Sequence, residues 1–379
     1  ILPRARPLGN TVTVPSESVI TQASDLIAAS DKPLIVAGAV GQRLGATEVL
    51  GSFAEHFAIP VVQVGGPSLL SDHPMNLGYA VGEYLPDADL VLVIESAVPW
   101  VPRNTDPNKR AKLIHISPDP HYSRLPYRGF EMDLAISGEP LQSIVLIEKF
   151  LKSSRKLKSE NIKARYSKIE SLHNEYVAKK TEVMNLSRAD TPISTSWVAA
   201  CLNKVKSDNS IVVSELGLNV GHIDYAVPGS IVSGAQAGGL GFGLGAALGA
   251  KLAEPERDVI LFVGDGSYMF GNPTPAHFVA KAQNLATLTV VMNNAQWFAV
   301  NRSTRNMYPN GEAVKTNEMP ITSLAPSPNY EMIMEACGGY GEMVDDPNRL
   351  EAAMKEALEK VRGGTSCLLN VITMAGGRD

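Results

Sequence analysis

Residues 263–294, VGDGSYMFGNPTPAHFVAKAQNLATLTVVMNN, decide the fold. An apolar run, Val259-Ile260-Leu261-Phe262-Val263, stops at Gly264-Asp265-Gly266, and a second, Leu288 to Met292, stops at Asn293-Asn294. Both runs have the length and β-branched content of buried parallel strands, and the segment between them can supply a crossover helix. The Asp265 and Asn294 oxygens then fall at the carboxyl ends of two strands, where open α/β sheets place their ligands. One carboxylate and one amide oxygen are too few for an all-protein cage. They suit Mg²⁺ or Ca²⁺ that also takes phosphate oxygens and water. The flanking glycines let backbone approach a diphosphate closely.

The same alternation runs outward in both directions. Upstream, Pro33 to Gly38, Ile59 to Val64, Asp89 to Ile94 and Lys112 to Ile116 read as strands, with an amphipathic helix over Ala46–Phe57. Gly38, Gly41 and Gly45 lack the G-x-G-x-x-G spacing of a dinucleotide fingerprint and read as a tight strand-to-helix turn. Residues 151–188 break the pattern: they are rich in Lys, Arg, Glu and Ser, with one apolar helical stripe through Leu157, Ile162, Tyr166, Ile169, Leu172 and Tyr176. That composition predicts a charged, solvated helical linker. A second series follows, with a helix over Thr195–Lys206 capped by Ser194 or Thr195, and a strand over Ser210–Ser214 leading into Glu215-Leu216-Gly217-Leu218-Asn219. Next come a glycine-rich stretch from Ile231 to Gly245 and a close-packed helix over Ala246–Leu252. The tail adds helices over Tyr330–Cys337 and Arg349–Arg362 and a strand over Ser366–Ile372. The expected fold class is α/β with two doubly wound parallel-sheet domains, residues 1–150 and 189–379, joined by the charged segment 151–188.

Composition narrows the class. Apolar content of 44% and charged content of 19% are those of a soluble globular protein. A net charge of −5 argues against a nucleic-acid surface. Cys201, Cys337 and Cys367 are widely spaced and form no metal pair or disulfide framework, which fits a reducing cytoplasm. No apolar run reaches membrane-span length and no signal peptide is evident. The first residue is Ile, which implies processing or an origin in a longer polypeptide.

Gly264-Asp265-Gly266, the spacing to Asn293-Asn294, and the phrase AGGLGFGLGAALGAKLAEPERDVILFVGDGS resemble the thiamine-diphosphate (ThDP) enzymes of the acetolactate synthase and benzoylformate decarboxylase group. KPLIVAGAVG, IPVVQV, HPMNLG and DADLVLVIES resemble the group's middle domain, which holds FAD, a nucleotide such as ADP, or nothing. The resemblance implies that Asp265, the Asn294 side chain and the Gln296 carbonyl bind Mg²⁺, and that Gly266 and Ser267 donate to the diphosphate. It places Gly217, Leu218 and Asn219 in the other phosphate turn. Leu240 would be the apolar wedge under a bent cofactor, and the Gly238 carbonyl would accept from its exocyclic amine. Trp297 and Phe298 either line the substrate pocket or pack on the sheet. His222 and His277 read as structural. Three features depart from the group: Gly245 stands where Pro is usual, Leu218 replaces a polar residue, and the segment around Phe270–Pro275 is longer.

The implied activity is that of a subunit or fragment of a ThDP- and Mg²⁺-dependent 2-keto acid decarboxylase or carboligase. The group's amino-terminal pyrimidine-binding domain, which supplies a catalytic Glu, has no counterpart here, so another polypeptide is expected to provide it in an assembly with twofold symmetry. The alternatives are an FAD-containing ThDP oxidase or synthase, and a non-catalytic nucleotide-binding regulatory subunit. Neither nucleic acid nor membrane is an expected partner.

Overall fold

A computed structural model describes residues 12–154, 157, 159–234, 239–319 and 321–375. The chain divides into two units, Ile1–Tyr176 and Val177–Asp379. Each is a parallel sheet with helices in most of the connections between its strands. Among the described residues, no helix is long and apolar enough to cross a membrane.

In the first unit the strands are β1 (Pro33–Ala37), β2 (Val61–Gln63), β3 (Leu90–Ile94), β4 (Lys112–Ser117) and β5 (Leu134–Ser137). They lie in the order β2-β1-β3-β4-β5, all parallel. β1 and β3 are buried along their whole length, as strands covered on both faces must be. The helix over Ala46–Phe57 has the bounds its periodicity predicts. Gly38 and Gly41 close the turn after β1 against neighbouring backbone. A Cβ on Gly38 would lie 2.3 Å from the Glu95 carbonyl oxygen, and one on Gly41 2.1 Å from that of Pro67. Both positions admit only glycine because the chain itself fills the space.

The charged segment forms a helix over Ser159–Leu186, and the division between the units falls within it. Its first half is more than a solvated linker. Ile169 is buried in the first unit's core, with Leu157, Ile162, Tyr166 and Leu172 packed around it. Arg165 donates to the carbonyls of Ala58 (2.7 Å), Phe57 (2.5 Å) and Ser30 (3.3 Å). One guanidinium thus satisfies carbonyls that two helix ends leave unpaired.

The second unit contains β6 (Ile211–Glu215), β7 (Ile231–Ser233), β8 (Val259–Gly264), β9 (Leu288–Asn293), β10 (Tyr340–Val344) and β11 (Cys367–Ile372). Their order is β10-β11-β9-β8-β6-β7, again all parallel. The chain moves outward from β6 to β7, then returns to place β8 on the other side of β6. The reversal parts the connections above and below the sheet and opens a crevice beyond the carboxyl ends of β6 and β8. The crossover from β8 to β9 is two helices, Asp265–Phe270 and Pro273–Ala282.

The glycine-rich segment departs from expectation at its helix. That helix covers Phe242–Ala253 and buries Gly243, Leu244 and Ala247. Gly245 and Gly249 face open space and Leu252 is exposed, so the helix is packed on one side only.

Candidate active site

Register brings the pieces together. Glu215 pairs with Val263, and Gly264 with Met292, so β6, β8 and β9 end side by side. Beyond them lies a cleft of about 450 Å³, the size of a small-ligand site. Its lining includes Gly217, Leu218, Asn219, Leu240, Asp265, Gly266, Ser267, Asn294, Gln296, Trp297 and Phe298. Every sequence-predicted site residue that the structure describes therefore borders one cavity. Gly238 lies outside the described residues.

Asp265 opens the helix that follows β8 and is 2% exposed. Its Oδ1 accepts from the Gly266 amide at 2.9 Å, while Oδ2 is buried with no hydrogen-bond partner. Burial pushes its carboxyl up to about 6, opposed by nearby backbone amides of Gly266, Ala295 and Gln296. An unpartnered carboxylate oxygen in a buried position is costly unless a proton or a cation meets it. Among the described residues it is the one carboxylate in the cleft lining. No group of three or more His, Cys, Asp or Glu capable of holding a metal occurs among the described residues. The donor set is thus oxygen from one acid, one amide and backbone, which suits a hard cation completed by ligand oxygens.

The two asparagines divide the work. Asn293, in β9, is buried; its Nδ2 donates to Asn370 at 3.0 Å, and its Oδ1 accepts from Ala295 and Ser327. Asn370 in turn donates to Glu331 at 2.8 Å, so this asparagine is structural. Asn294 lines the cleft and accepts the Gln296 amide at 3.1 Å on Oδ1. Ala295 between them has φ 56°, which turns the chain back over the strand end. The Gln296 carbonyl accepts from the Phe298 amide at 2.8 Å, leaving its second lone pair for another partner.

After β6, Leu216 and Gly217 both take positive φ, 66° and 86°. A Cβ on Gly217 would meet Met292 Cβ at 2.9 Å, so only glycine fits. Leu218 explains its own departure from the group pattern: its side chain is buried in the core, so its backbone is what the turn can offer a phosphate. Asn219 caps the turn Val220–His222 through the Gly221 amide at 3.0 Å.

Trp297 lines the cleft and packs on Gly266 in the helix that follows β8. Phe298 lines the cleft and carries the Arg302 guanidinium 5.6 Å from its ring centre. His277 is buried, bonded to the Tyr268 hydroxyl at 2.8 Å, and burial lowers it to about 4, so it is neutral. His222 borders the cleft. Sequence reasoning missed Thr195, Ser196, Leu216, Thr373 and Met374 as lining residues. The first and last pairs reach the cleft because Ile193, just before a helix start, bridges Thr373 at the end of β11, and β11 pairs with β9, a neighbourhood no local motif announces.

The family model "Thiamine pyrophosphate enzyme, C-terminal TPP binding domain" matches residues 217–371, and "Thiamine pyrophosphate enzyme, central domain" matches 20–144. A probable acetolactate synthase large subunit of Methanococcus aeolicus is 25% identical over 386 aligned positions, covering 92% of this chain and 60% of that protein. The 2-hydroxyacyl-CoA lyase 1 of Mus musculus is 23% identical, covering 95% of this chain and 63% of that protein. This chain therefore spans less than two thirds of these relatives. Among solved structures, the thiamine diphosphate-dependent 4-hydroxybenzoylformate decarboxylase of Rhodococcus jostii RHA1 superposes with a TM-score of 0.75 at 20% identity. That match covers 98% of this chain and 66% of the other. With both models matching in chain order, and most of the cleft lining falling within the C-terminal one, the chain belongs to the thiamine pyrophosphate enzyme family.

Proposed function

We propose that the chain carries the diphosphate half of a ThDP- and Mg²⁺-dependent enzyme that breaks or forms the carbon–carbon bond next to a 2-keto group. The observation that carries this reading is the buried, unpartnered Asp265 Oδ2 beside Asn294 at the sheet's reversal point. Asp265, Asn294 and the Gln296 carbonyl would hold Mg²⁺. Backbone of Gly217, Leu218 and Asn219 on one side, and of Gly266 and Ser267 on the other, would take the diphosphate oxygens. When bound, ThDP supplies a nucleophilic carbon and an electron sink for decarboxylation or carboligation.

The chain's own residues set the conditions for that chemistry. Leu240 offers an apolar support on the cleft wall, and the resemblance assigns an amine-accepting role to the Gly238 carbonyl. Trp297 and Phe298 restrict water at the rim. The acid that protonates the pyrimidine ring is proposed to come from a segment or polypeptide other than residues 1–379, in an assembly with twofold symmetry. The relatives described above are named as a probable acetolactate synthase large subunit, a 2-hydroxyacyl-CoA lyase and a decarboxylase, which supports the reaction class and leaves the substrate open.

The test is to incubate the purified protein, with any copurifying chain, with ThDP, Mg²⁺ and a panel of 2-keto acids. Carbon dioxide release or a carboligation product supports the reading; bound ThDP with no turnover of any keto acid would move it to a non-catalytic role. A flavin absorbance band in the same preparation would shift it to an FAD-containing synthase or oxidase.

A further inference from the structure

Glu215 ends β6 and is 3% exposed. Its carboxylate is held by backbone amides far along the chain: Gly241 N–H donates to Oε1, and Gly243 N–H donates to Oε2 at 2.5 Å. These are amides at the start of the Phe242–Ala253 helix, where Gly241 occupies the cap position with φ 84°. A glycine has no side chain to accept from the first turn, and Glu215 supplies that acceptor from the neighbouring strand. A negative charge there is also favoured by the helix dipole.

The glycines have no freedom to drift. A Cβ on Gly241 would lie 2.6 Å from Gly271 Cα, and one on Gly243 would lie 2.8 Å from both Glu215 Oε2 and Leu261 Cδ1. Leu240 directly precedes Gly241, so its Cα sits one virtual bond, about 3.8 Å, from a clamped position. The residues directly after Glu215 are the positive-φ turn Leu216-Gly217. One buried side chain thus ties the turn on one wall of the cleft to Leu240 on another.

We propose that Glu215 is a positioning residue: its clamp on the Gly241 and Gly243 amides sets the height of Leu240 in the cleft, and so the shape imposed on the bound cofactor. This rests on the cofactor reading above. Glu215→Gln keeps the shape, but its amide nitrogen cannot accept, so one of the two backbone donors loses its partner.

The experiment uses the protein assembled with the chain or segment that supplies the pyrimidine-side acid, first without ligand and then with ThDP and Mg²⁺. In the ligand-free Glu215→Gln variant, hydrogen exchange at the Gly241 and Gly243 amides should accelerate about tenfold, the scale of one lost charge-assisted bond. ThDP affinity should change less than about threefold, because Asp265 and Asn294 are untouched, while C2 proton exchange of bound ThDP slows about tenfold or more. Adding Leu240→Ala should then slow it by less than about twofold further, since both changes remove one support. Wild-type amide protection, wild-type C2 exchange, or fully multiplicative effects of the two substitutions would overturn the proposal. If Glu215→Gln does not fold, Glu215→Asp is read the same way. Loss of fold in both would make Glu215 a core residue alone and overturn it too. If the wild-type assembly binds no ThDP with Mg²⁺, the cofactor reading fails and takes the proposal with it. The amide-exchange difference between wild type and Glu215→Gln tells that case from failure of the clamp.

Discussion

The six-membered ring of Trp297 lies on the backbone of Gly266, where an added Cβ would meet Cε3 and Cζ3 at 2.5 Å. Gly266 follows the carboxylate at the end of β8, and Trp297 follows the cation-type oxygens at the end of β9. The contact therefore locks two strand-end loops together at the height of the cleft. Gly266→Ala must displace either the indole or the loop. Overpacking of this kind costs about 1–3 kcal/mol. The expected outcome is a chain that folds, melts lower, and binds ThDP with Mg²⁺ at least about tenfold more weakly, a change of about 1.4 kcal/mol. Thermal denaturation and calorimetry check it; wild-type affinity in Gly266→Ala would show the contact to be incidental.

Asp265 gives a pH signature in the ligand-free chain. Burial raises its carboxyl from 3.8 to about 6. For an acid raised on folding, the favourable contribution is complete below the unfolded value and is lost as pH climbs through the folded one. Above pH 6 the fold carries a buried, ionised Asp265 at a cost on the order of 3 kcal/mol. Asp265→Asn removes that dependence. The stability of Asp265→Asn relative to wild type should rise between pH 4 and pH 7 by roughly 2–3 kcal/mol, measured by chemical denaturation at each pH. A constant difference across that window would show that Asp265 is not buried and unpaired.

Leu240→Ala should leave ThDP and Mg²⁺ bound within about threefold of wild type, since no diphosphate or cation contact is lost. C2 proton exchange should slow about tenfold or more as the apolar support disappears. Unchanged exchange would return Leu240 to the status of ordinary packing.

Arg165 tests the long charged helix. Its guanidinium is held by carbonyls of Ser30, Phe57 and Ala58 rather than by solvent. Arg165→Ala should destabilise the first unit by about 1–3 kcal/mol, because partly buried carbonyls lose a charged donor. Denaturant titration should show this, while an exposed neighbour, Lys168→Ala, stays within about 0.5 kcal/mol of wild type. Equal, negligible effects of both would restore the picture of a solvated linker.

Most of the parallel architecture was legible because β1, β3, β8 and β9 are continuous apolar runs, each ending in a turn signal. β10 escaped notice: Tyr340-Gly341-Glu342-Met343-Val344 is an edge strand, half polar, with a glycine pressed on Glu331. β5 is four residues and also lies at an edge. The docking of the charged helix was hidden because an arginine, not an apolar residue, makes its most specific contacts. In the site, spacing and glycine content placed Asp265 and Asn294 correctly in one cleft. The contacts of Glu215 were not legible, since its partners lie 26 and 28 residues away and are backbone amides. The separate duties of Asn293 and Asn294 follow from strand alternation only once the direction of β9 in the sheet is known.

In the proposed function the ends of β6, β8 and β9 form a cation-dependent diphosphate site. The decisive measurement is calorimetric titration of the protein, with any copurifying chain, with ThDP, in Mg²⁺ and in a chelator, for wild type and Asp265→Asn. The expected result is binding in Mg²⁺, its loss in the chelator, and an affinity at least about 100-fold weaker in Asp265→Asn, a change of about 2.7 kcal/mol. Tight binding that survives the chelator, or wild-type affinity in Asp265→Asn, would contradict it.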